Sequence, residues 1–139
     1  MSQIVEVFPS IQNRILIDCV IGIPDIINPI KNERCAICKA LIDTGSMITA
    51  ISTRAAEFLN APVTGSEDVI AANNHHDTVN THTVNIEIGK DIQFPLTEVS
   101  ALDMTEYDII IGMDLLSHGE LMITNSDGRT VFYFKQYDI

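Results

Sequence analysis

The sequence has little positive charge and no long hydrophobic run. Of its 139 residues, 19 are Asp or Glu and 8 are Lys or Arg, which gives a formal net charge of −11 at pH 7. Such a charge repels the phosphates of nucleic acids and of anionic membranes. No apolar run approaches the roughly 18 residues of a membrane span, and the opening MSQIVEVFPS lacks a basic segment before an apolar signal core. We expect a cytoplasmic protein that binds neither nucleic acid nor a membrane.

Cysteine is too scarce for a disulfide framework. Cys19, Cys35 and Cys38 are odd in number, which favours reduced thiols inside a cell. The spacing of the last two would suit half of a zinc site or a redox pair, with His75-His76 as the other half. No second CxxC exists, however, and an apolar strand pattern follows this one. We therefore expect a strand with buried thiols, and neither a metal nor a cofactor.

Repeats and low-complexity tracts are also absent, and the remaining pattern predicts one mainly β domain over residues 1–139. A hydrophobic content of 46% suffices for one core at this length. The apolar segments are short, rich in β-branched residues and interrupted by turn residues, which is typical of strands. Strands are predicted at 14–21, 35–42, 83–88, 92–99, 108–112, 121–124 and 130–134, the last two joined by a turn at 125–128.

The segments between these strands carry recognisable signals. Residues 22–33 contain two prolines and are predicted as a loop, and Pro95 predicts an edge or a bulge in its strand. Ser52 is expected to cap a helix that ends near Leu59, because its hydroxyl can accept from amides of the first turn. A short helical turn is expected at 113–118.

A polar step interrupts the strand pattern in ALIDTGS, residues 40–46. The apolar residues before Asp43 would carry it out of the core on a rigid strand, and Gly45 allows the backbone to turn sharply. Thr44 adds a hydroxyl beside them. By itself the triplet is a weak signal, because such residues after a strand more often form an ordinary turn.

The wider context makes the triplet informative. It is followed by the predicted helix STRAAEFL and, far downstream, by DIIIGMDLL. In this order the motifs resemble those of the retropepsin-like aspartic proteases, over about residues 14–135. The terminal hairpin resembles that of the small bacterial and cellular members. The resemblance implies a mainly β, closed, barrel-like fold with one or two short helices that is active as a homodimer.

The resemblance also supplies a partner for the lone carboxylate. Each chain of the family carries one triplet, so Asp43 of one protomer would meet Asp43 of the other across a two-fold axis. Two adjacent carboxylates share a proton, so one acts as a base on a bridging water and the other as an acid on the scissile carbonyl. The implied activity is an aspartic endopeptidase acting on peptide or protein substrates without metal or cofactor.

Further roles follow from the resemblance. Thr44 would donate its hydroxyl across the dimer interface, and Gly45 would leave room for the substrate backbone and accept a hydrogen bond from it. Ser46 could hydrogen-bond an outer oxygen of Asp43. A flap at residues 69–84 would close over the peptide. Substrate-binding residues in the apolar subsites and the flap tip would be Ser46, Met47, Ile48, Ala72, Asn73, Asn74, Ile110 and Ile111.

The chain departs from the family at the flap tip and at one ion pair. The tip lacks the usual glycines, and Asn74 would replace one, since Asn tolerates a positive φ. Met47 and Met113 stand where retroviral members often carry opposite charges, so we expect an apolar contact there. Asp114 is expected to cap the short helix by local hydrogen bonds.

Two alternatives to the protease remain open. The glycine-poor tip motivates a retropepsin-like dimer that serves binding or assembly with little or no catalysis. A metal or redox protein built on the CxxC and His75-His76 is the other. The sequence also does not decide which strand pairs between the protomers, because residues 1–7 and residues 132–139 could each supply it.

Overall fold

The computed structural model describes residues 2–70 and 73–138, and most of them form strands. In chain order the strands are β1 (Gln3–Val7), β2 (Ile15–Pro24), β3 (Asn32–Ile42), β4 (Ala50–Ser52), β5 (Gly65–Ile70), β6 (His76–Ile88), β7 (Ile92–Leu102), β8 (Ile109–Ile111), β9 (Gly119–Thr124) and β10 (Val131–Gln136). Two short helices, α1 (Thr53–Phe58) and α2 (Met113–Leu116), and a 3₁₀ turn at Ser126–Gly128 complete the fold. No helix in this part of the chain is long and apolar enough to span a membrane.

Six of the strands close into a barrel. Their order is β2-β3-β8-β4-β7-β6, and β6 pairs back onto β2 to complete the ring. Strand β5 continues the sheet beyond β6, and a separate sheet with the order β1-β10-β9 joins the barrel core through Phe132 and Phe134. The prediction of a mainly β, closed, barrel-like fold with short helices is therefore confirmed.

Alternate residues of the strands fill the barrel. Because successive side chains of a strand point to opposite faces, one face of β2 and one of β6 are buried. Burial of each large aliphatic side chain contributes about 1.5–3 kcal/mol. The inward residues predicted for these two strands are all buried: Ile15, Ile17, Cys19, Ile21, Val84, Ile86 and Ile88.

The predicted loop at 22–33 is wrong at both ends. Strand β2 continues to Pro24 and β3 begins at Asn32, so only residues 25–31 form the connection. Gly22 pairs with Cys35, and the buried Ile23 pairs with Arg34. The ladder thus continues past the point where the prolines suggested that it would end.

Two local predictions are confirmed, one by a hydrogen bond and the other by a shift in strand register. Ser52 is the N-cap of α1, and its Oγ accepts from the amide of Ala55 at 2.9 Å. Strand β7 bulges at Pro95, where the pairing with β6 shifts register and Leu96 takes φ +49°. The amide of Leu96 donates to Asn85 Oδ1 at 2.8 Å, so the bulge leaves that amide paired.

The CxxC lies inside strand β3. Cys38 pairs directly with the buried Cys19 of β2, and a hydrogen bond to Cys38, reinforced by burial, raises the pKa of the Cys19 thiol. Cys35 is exposed and Cys38 is half-buried, so the prediction of buried thiols in this strand is wrong at Cys35 and only partly met at Cys38. A spacing of three puts Cys35 and Cys38 on opposite faces of a strand. In residues 2–70 and 73–138, no three His, Cys, Asp or Glu side chains gather to hold a metal.

Candidate active site

Asp43 lies where β3 leaves the barrel. The strand is anchored by Ala40 and Ile42, which are buried, and it pairs in parallel with β8. The amide of Asp43 continues that ladder by donating to Ile111 O at 2.9 Å. Asp43 is half-buried, so its carboxylate lies at the boundary between the core and the surface.

The residues after Asp43 form a tight turn. The amide of Gly45 donates to Asp43 Oδ1 at 2.9 Å, and the amide of Ser46 donates to Asp43 O at 3.2 Å. Short Asp side chains often accept from a backbone amide two residues later, which fixes the side chain against its own turn. Thr44 and Gly45 are exposed at the tip of the turn.

The Ser46 side chain points away from the predicted partner. Its Oγ donates to Ile48 O at 2.7 Å, because the chain turns back after Ser46 and brings that carbonyl within reach. The predicted hydrogen bond from the Ser46 hydroxyl to Asp43 is therefore wrong for this chain. In place of that bond, Ser46 stiffens the Asp43 loop, which we define as residues 43–49.

Gly112 packs against the back of the Asp43 loop. A Cβ at this position would lie 2.4 Å from Ile48 O and 2.9 Å from Ser46 O, closer than real Cβ contacts. The neighbouring amide of Met113 donates to Ser46 O at 2.8 Å. The glycine after the apolar strand is thus required by the close approach of two backbones.

A partly buried hydrogen-bond cluster joins these two segments. Thr49 is 1% exposed, and its amide and Oγ1 donate to the two carboxylate oxygens of Asp114 at 2.9 and 2.7 Å. Thr49 Oγ1 in turn accepts from the amide of Gly112 at 3.1 Å. The Asp43 loop is therefore tied to the start of α2 as well as to β8.

Asp114 makes the predicted local hydrogen bond, but it is not the N-cap of α2, so the capping part of the prediction is wrong. Gly112 is the N-cap residue, and Asp114 lies in the first turn, where it also accepts from the amide of Leu115 at 2.9 Å. Its main contacts are with Thr49, 65 residues away. Sequence reasoning missed Thr49, because a single hydroxyl between apolar residues carries no signal of so distant a partner.

An open groove of about 870 Å³ lies beside the Asp43 loop. Gly45 and the predicted substrate-binding residues Ser46, Met47 and Ile48 line one side of it. The opposite wall is the hairpin of β5 and β6, and the end of β7 and Thr53 complete the lining. The groove therefore begins directly after the carboxylate that the sequence singled out.

Ile110 and Ile111 do not line this groove. Ile111 is fully buried in the barrel core, so its prediction as a subsite residue is wrong. Ile110 is half-buried in β8, where it pairs with Leu41 and Ala50. Strand β8 runs between β3 and β4, and its residues Ile109 and Ile111 belong to the barrel core, whereas Ile110 does not.

The segment predicted as a flap forms the β5–β6 hairpin, in which Ile70 pairs with His76. Ala72 lies outside the described residues, so its role in substrate binding stays a prediction. Asn73 and Asn74 are exposed and are not among the described residues that line the groove. Asn74 has φ +62°, the conformation for which it was expected to replace glycine.

The two methionines in place of the family's ion pair are surface residues in the single chain. Met47 is 84% exposed and lines the groove, and Met113 is 39% exposed. Met47 is therefore almost uncovered within its own protomer, whereas Met113 is partly covered. The apolar contact expected at the dimer seam stays a prediction.

The fold and the site together define a class of protein, and comparisons with known proteins agree. Residues 32–118 match the family described as "gag-polyprotein putative aspartyl protease", a range that includes both the Asp43 loop and Gly112. No curated protein has a significantly similar sequence. The match covers more than half of the chain, which therefore belongs to this family of retropepsin-like aspartic proteases.

Two solved structures share the fold. A retropepsin-like aspartic protease from Rickettsia conorii superposes with a TM-score of 0.55 at 17% identity, over 99% of this chain and 98% of that chain. The retroviral protease-like domain of Ddi1 from Leishmania major superposes with a TM-score of 0.50 at 18% identity, over 93% of this chain and 100% of that chain. The likeness extends over almost the full length of all three chains.

Proposed function

We propose that this chain is an aspartic endopeptidase whose active site is assembled from two copies. The observation that carries the proposal is the position of Asp43. Asp43 is half-buried, its carboxylate accepts from the Gly45 amide at 2.9 Å, and it is directly followed by residues that line an open groove. A peptide in this groove would pass along Ser46, Met47 and Ile48.

The chemistry needs a second carboxylate, which a two-fold axis beside the turn of Thr44 and Gly45 would provide. Both residues are exposed at the tip, where a second copy could approach. Two Asp43 carboxylates in contact share one proton. The ionised member takes a proton from a water that attacks the scissile carbonyl, and the protonated member donates to the carbonyl oxygen. The proton taken from water then passes to the leaving amine.

The strand pairing within the chain narrows the choice of dimer seam. Strand β10 lies between β1 and β9, so both of its edges are already paired. The outer edges of β1 and β9 have no strand partner in the described chain. The face of this sheet opposite Phe134 carries three residues that pair in register across the strands: Val5, Tyr133 and Met122. We infer that β1 or β9, and not the C-terminal strand β10, provides edge pairing between protomers.

We also assign the β5–β6 hairpin as the flap. It forms the groove wall opposite the Asp43 loop, and β5 is the outermost strand of its sheet. A hairpin that can move over this groove would exclude water from the reacting atoms. The exposure of Asn73 and Asn74 fits a tip that contacts substrate only after closure.

The test is cleavage of a mixed peptide library from about pH 3 to pH 8 by the purified protein and by an Asp43→Asn variant. We expect a bell-shaped profile for the parent protein and a loss of about 10²–10⁴-fold in the variant, because neither general base nor acid can be formed. Circular dichroism would establish that the variant is folded. Equal cleavage by both proteins, or none by either, would refute the proposal.

A dimeric binding or assembly module is the second candidate. It is favoured by the tip, where Asn73 and Asn74 stand in place of the glycines that a mobile flap usually contains. This candidate predicts peptide binding and dimerisation without hydrolysis at any pH. Binding titrations with the same library, read together with product analysis, separate the two functions.

A further inference from the structure

The groove wall contributed by the hairpin and by the residues at and just after the end of β7 is acidic. Four carboxylates line it, and no Lys or Arg belongs to the described residues that do so. Apolar residues of the hairpin and of β7 line the same groove. The acids are Glu67, Asp68, Asp77 and Asp103.

The pairing register shows which carboxylates share a face with apolar residues. Glu67 pairs with Val79, and Val69 pairs with Asp77. Directly paired residues and residues two apart lie on the same face of a hairpin, so all four share one face. The two valines are half-buried, whereas their neighbours are exposed. That half-buried face therefore contributes an acid beside each valine to the groove lining, while Asp68 lines the groove from the other face of the hairpin.

No cation of the described chain neutralises the acidic wall. Arg54, the nearest in sequence to the lining residue Thr53, donates to Asp108 Oδ1 at 2.8 Å. Within residues 2–70 and 73–138, Glu67 and Asp103 have no ion-pair partner. Asp77 lies 3.4 Å from His75 Nε2, a cation only when protonated.

We propose that the groove selects peptides that carry Lys or Arg beside an apolar segment. The proposal rests on the endopeptidase function and names its substrate class. The apolar side chains would contact Met47 and Ile48, and the aliphatic stem of Lys or Arg would lie along Val69 or Val79. Its charged head would then reach Glu67 or Asp103. A concave surface of one sign concentrates ligands of the opposite sign.

The experiment uses three synthetic peptides with one apolar cleavage core, flanked on both sides by Lys, by Gln or by Glu. We expect kcat/KM to fall in the order Lys, Gln, Glu, with about a three- to tenfold step between Lys and Gln at about 0.02 M salt. At about 0.5 M salt the step should shrink, since exposed charges are screened. Equal values for the three peptides, or a preference for Glu, would overturn the proposal.

A pair of double variants assigns the preference to the groove. The double variant Glu67→Gln with Asp103→Asn should bring the ratio of kcat/KM for the Lys peptide to kcat/KM for the Gln peptide close to one. Glu98→Gln with Asp91→Asn removes the same charge from positions outside the groove and should keep the ratio. An identical loss of preference in both double variants would mean that net charge, and not the groove, is responsible.

The same peptides separate failure of this proposal from failure of the endopeptidase function. Fluorescently labelled peptides are titrated into the Asp43→Asn variant, which has the groove but lacks the carboxylate. Tighter binding of the Lys peptide, with no cleavage of any peptide by the parent protein, would refute the endopeptidase and uphold the acidic groove. Equal binding of all three peptides would refute the groove preference whatever the activity.

Discussion

The Asp43 loop and the β5–β6 hairpin face each other across the groove, yet they are held in different ways. The loop is tied to β8 and α2 by backbone bonds and by the buried Thr49 beneath it. The hairpin pairs with the barrel only through β6, and its polar contacts, such as Thr78 Oγ1 to Asp68 Oδ1 at 2.8 Å, are exposed.

This difference in support suits two different tasks: the Asp43 loop holds the reacting carboxylate, and the hairpin contributes to substrate specificity. A carboxylate that must meet its symmetry mate needs a fixed backbone, because a displacement of about 1 Å can cost about a hundredfold in rate. A wall that attracts a charged side chain over several ångströms tolerates more movement. Substitutions in the loop should therefore affect folding and catalysis, whereas substitutions of the carboxylates in the hairpin should affect substrate choice.

The largest expected effect on stability is at Gly112. We expect Gly112→Ala to lower the free energy of unfolding by about 3 kcal/mol, because the added Cβ meets backbone atoms that cannot move independently. Gly128→Ala is the control, since space there is open and only the φ of +71° opposes a side chain, at about 1 kcal/mol. Urea unfolding measures both. A smaller effect at Gly112 than at Gly128 would contradict the close packing described for the loop.

One substitution made on each side of the groove compares the two regions directly. Thr49→Val should cost about 2 kcal/mol, because the buried amide of Gly112 loses its acceptor. Thr78→Val removes an exposed hydrogen bond and should change stability by less than about 0.5 kcal/mol. Thermal and urea unfolding would give both values. Similar costs on the two sides would show that the loop is no better supported than the hairpin.

Amide hydrogen exchange compares the Asp43 loop with the hairpin residue by residue, although the expected difference is smaller. The amides of Asp43 and Met113 donate across the loop junction, so they should exchange at least about tenfold more slowly than those of Asp68 and Thr78 in the hairpin. The reason is that local opening of an exposed outer hairpin disrupts little of the core. Faster exchange at Asp43 than at Thr78 would reverse the comparison.

The part of the site that could be predicted is the part that is contiguous in sequence. Residues 40–46 place an apolar strand end, a carboxylate and a glycine next to one another, so their local geometry follows from propensity. The tie between Thr49 and Asp114 joins residues 65 apart and leaves no local pattern. The acidic wall was missed for the same reason, since Glu67 and Asp77 share a face only through the pairing of β5 with β6.

The errors in the fold have a similar cause. Residues 109–111 are all isoleucine, and only their burial in the folded chain shows that Ile111 faces the core while Ile110 does not. The prolines at 24 and 29 suggested a long loop, but Gly22 and Ile23 continue the ladder. Strand interiors were predicted well, because burial sets a period of two.

The central claim is that one active site requires Asp43 from two chains. The direct measurement mixes parent protein and Asp43→Asn variant in varied ratios at constant total concentration, allows the subunits to exchange, and follows cleavage of one peptide. If both carboxylates are needed, only parent–parent dimers cleave, so the rate should fall as the square of the parent fraction. A rate that falls in direct proportion to the parent fraction would contradict the shared site.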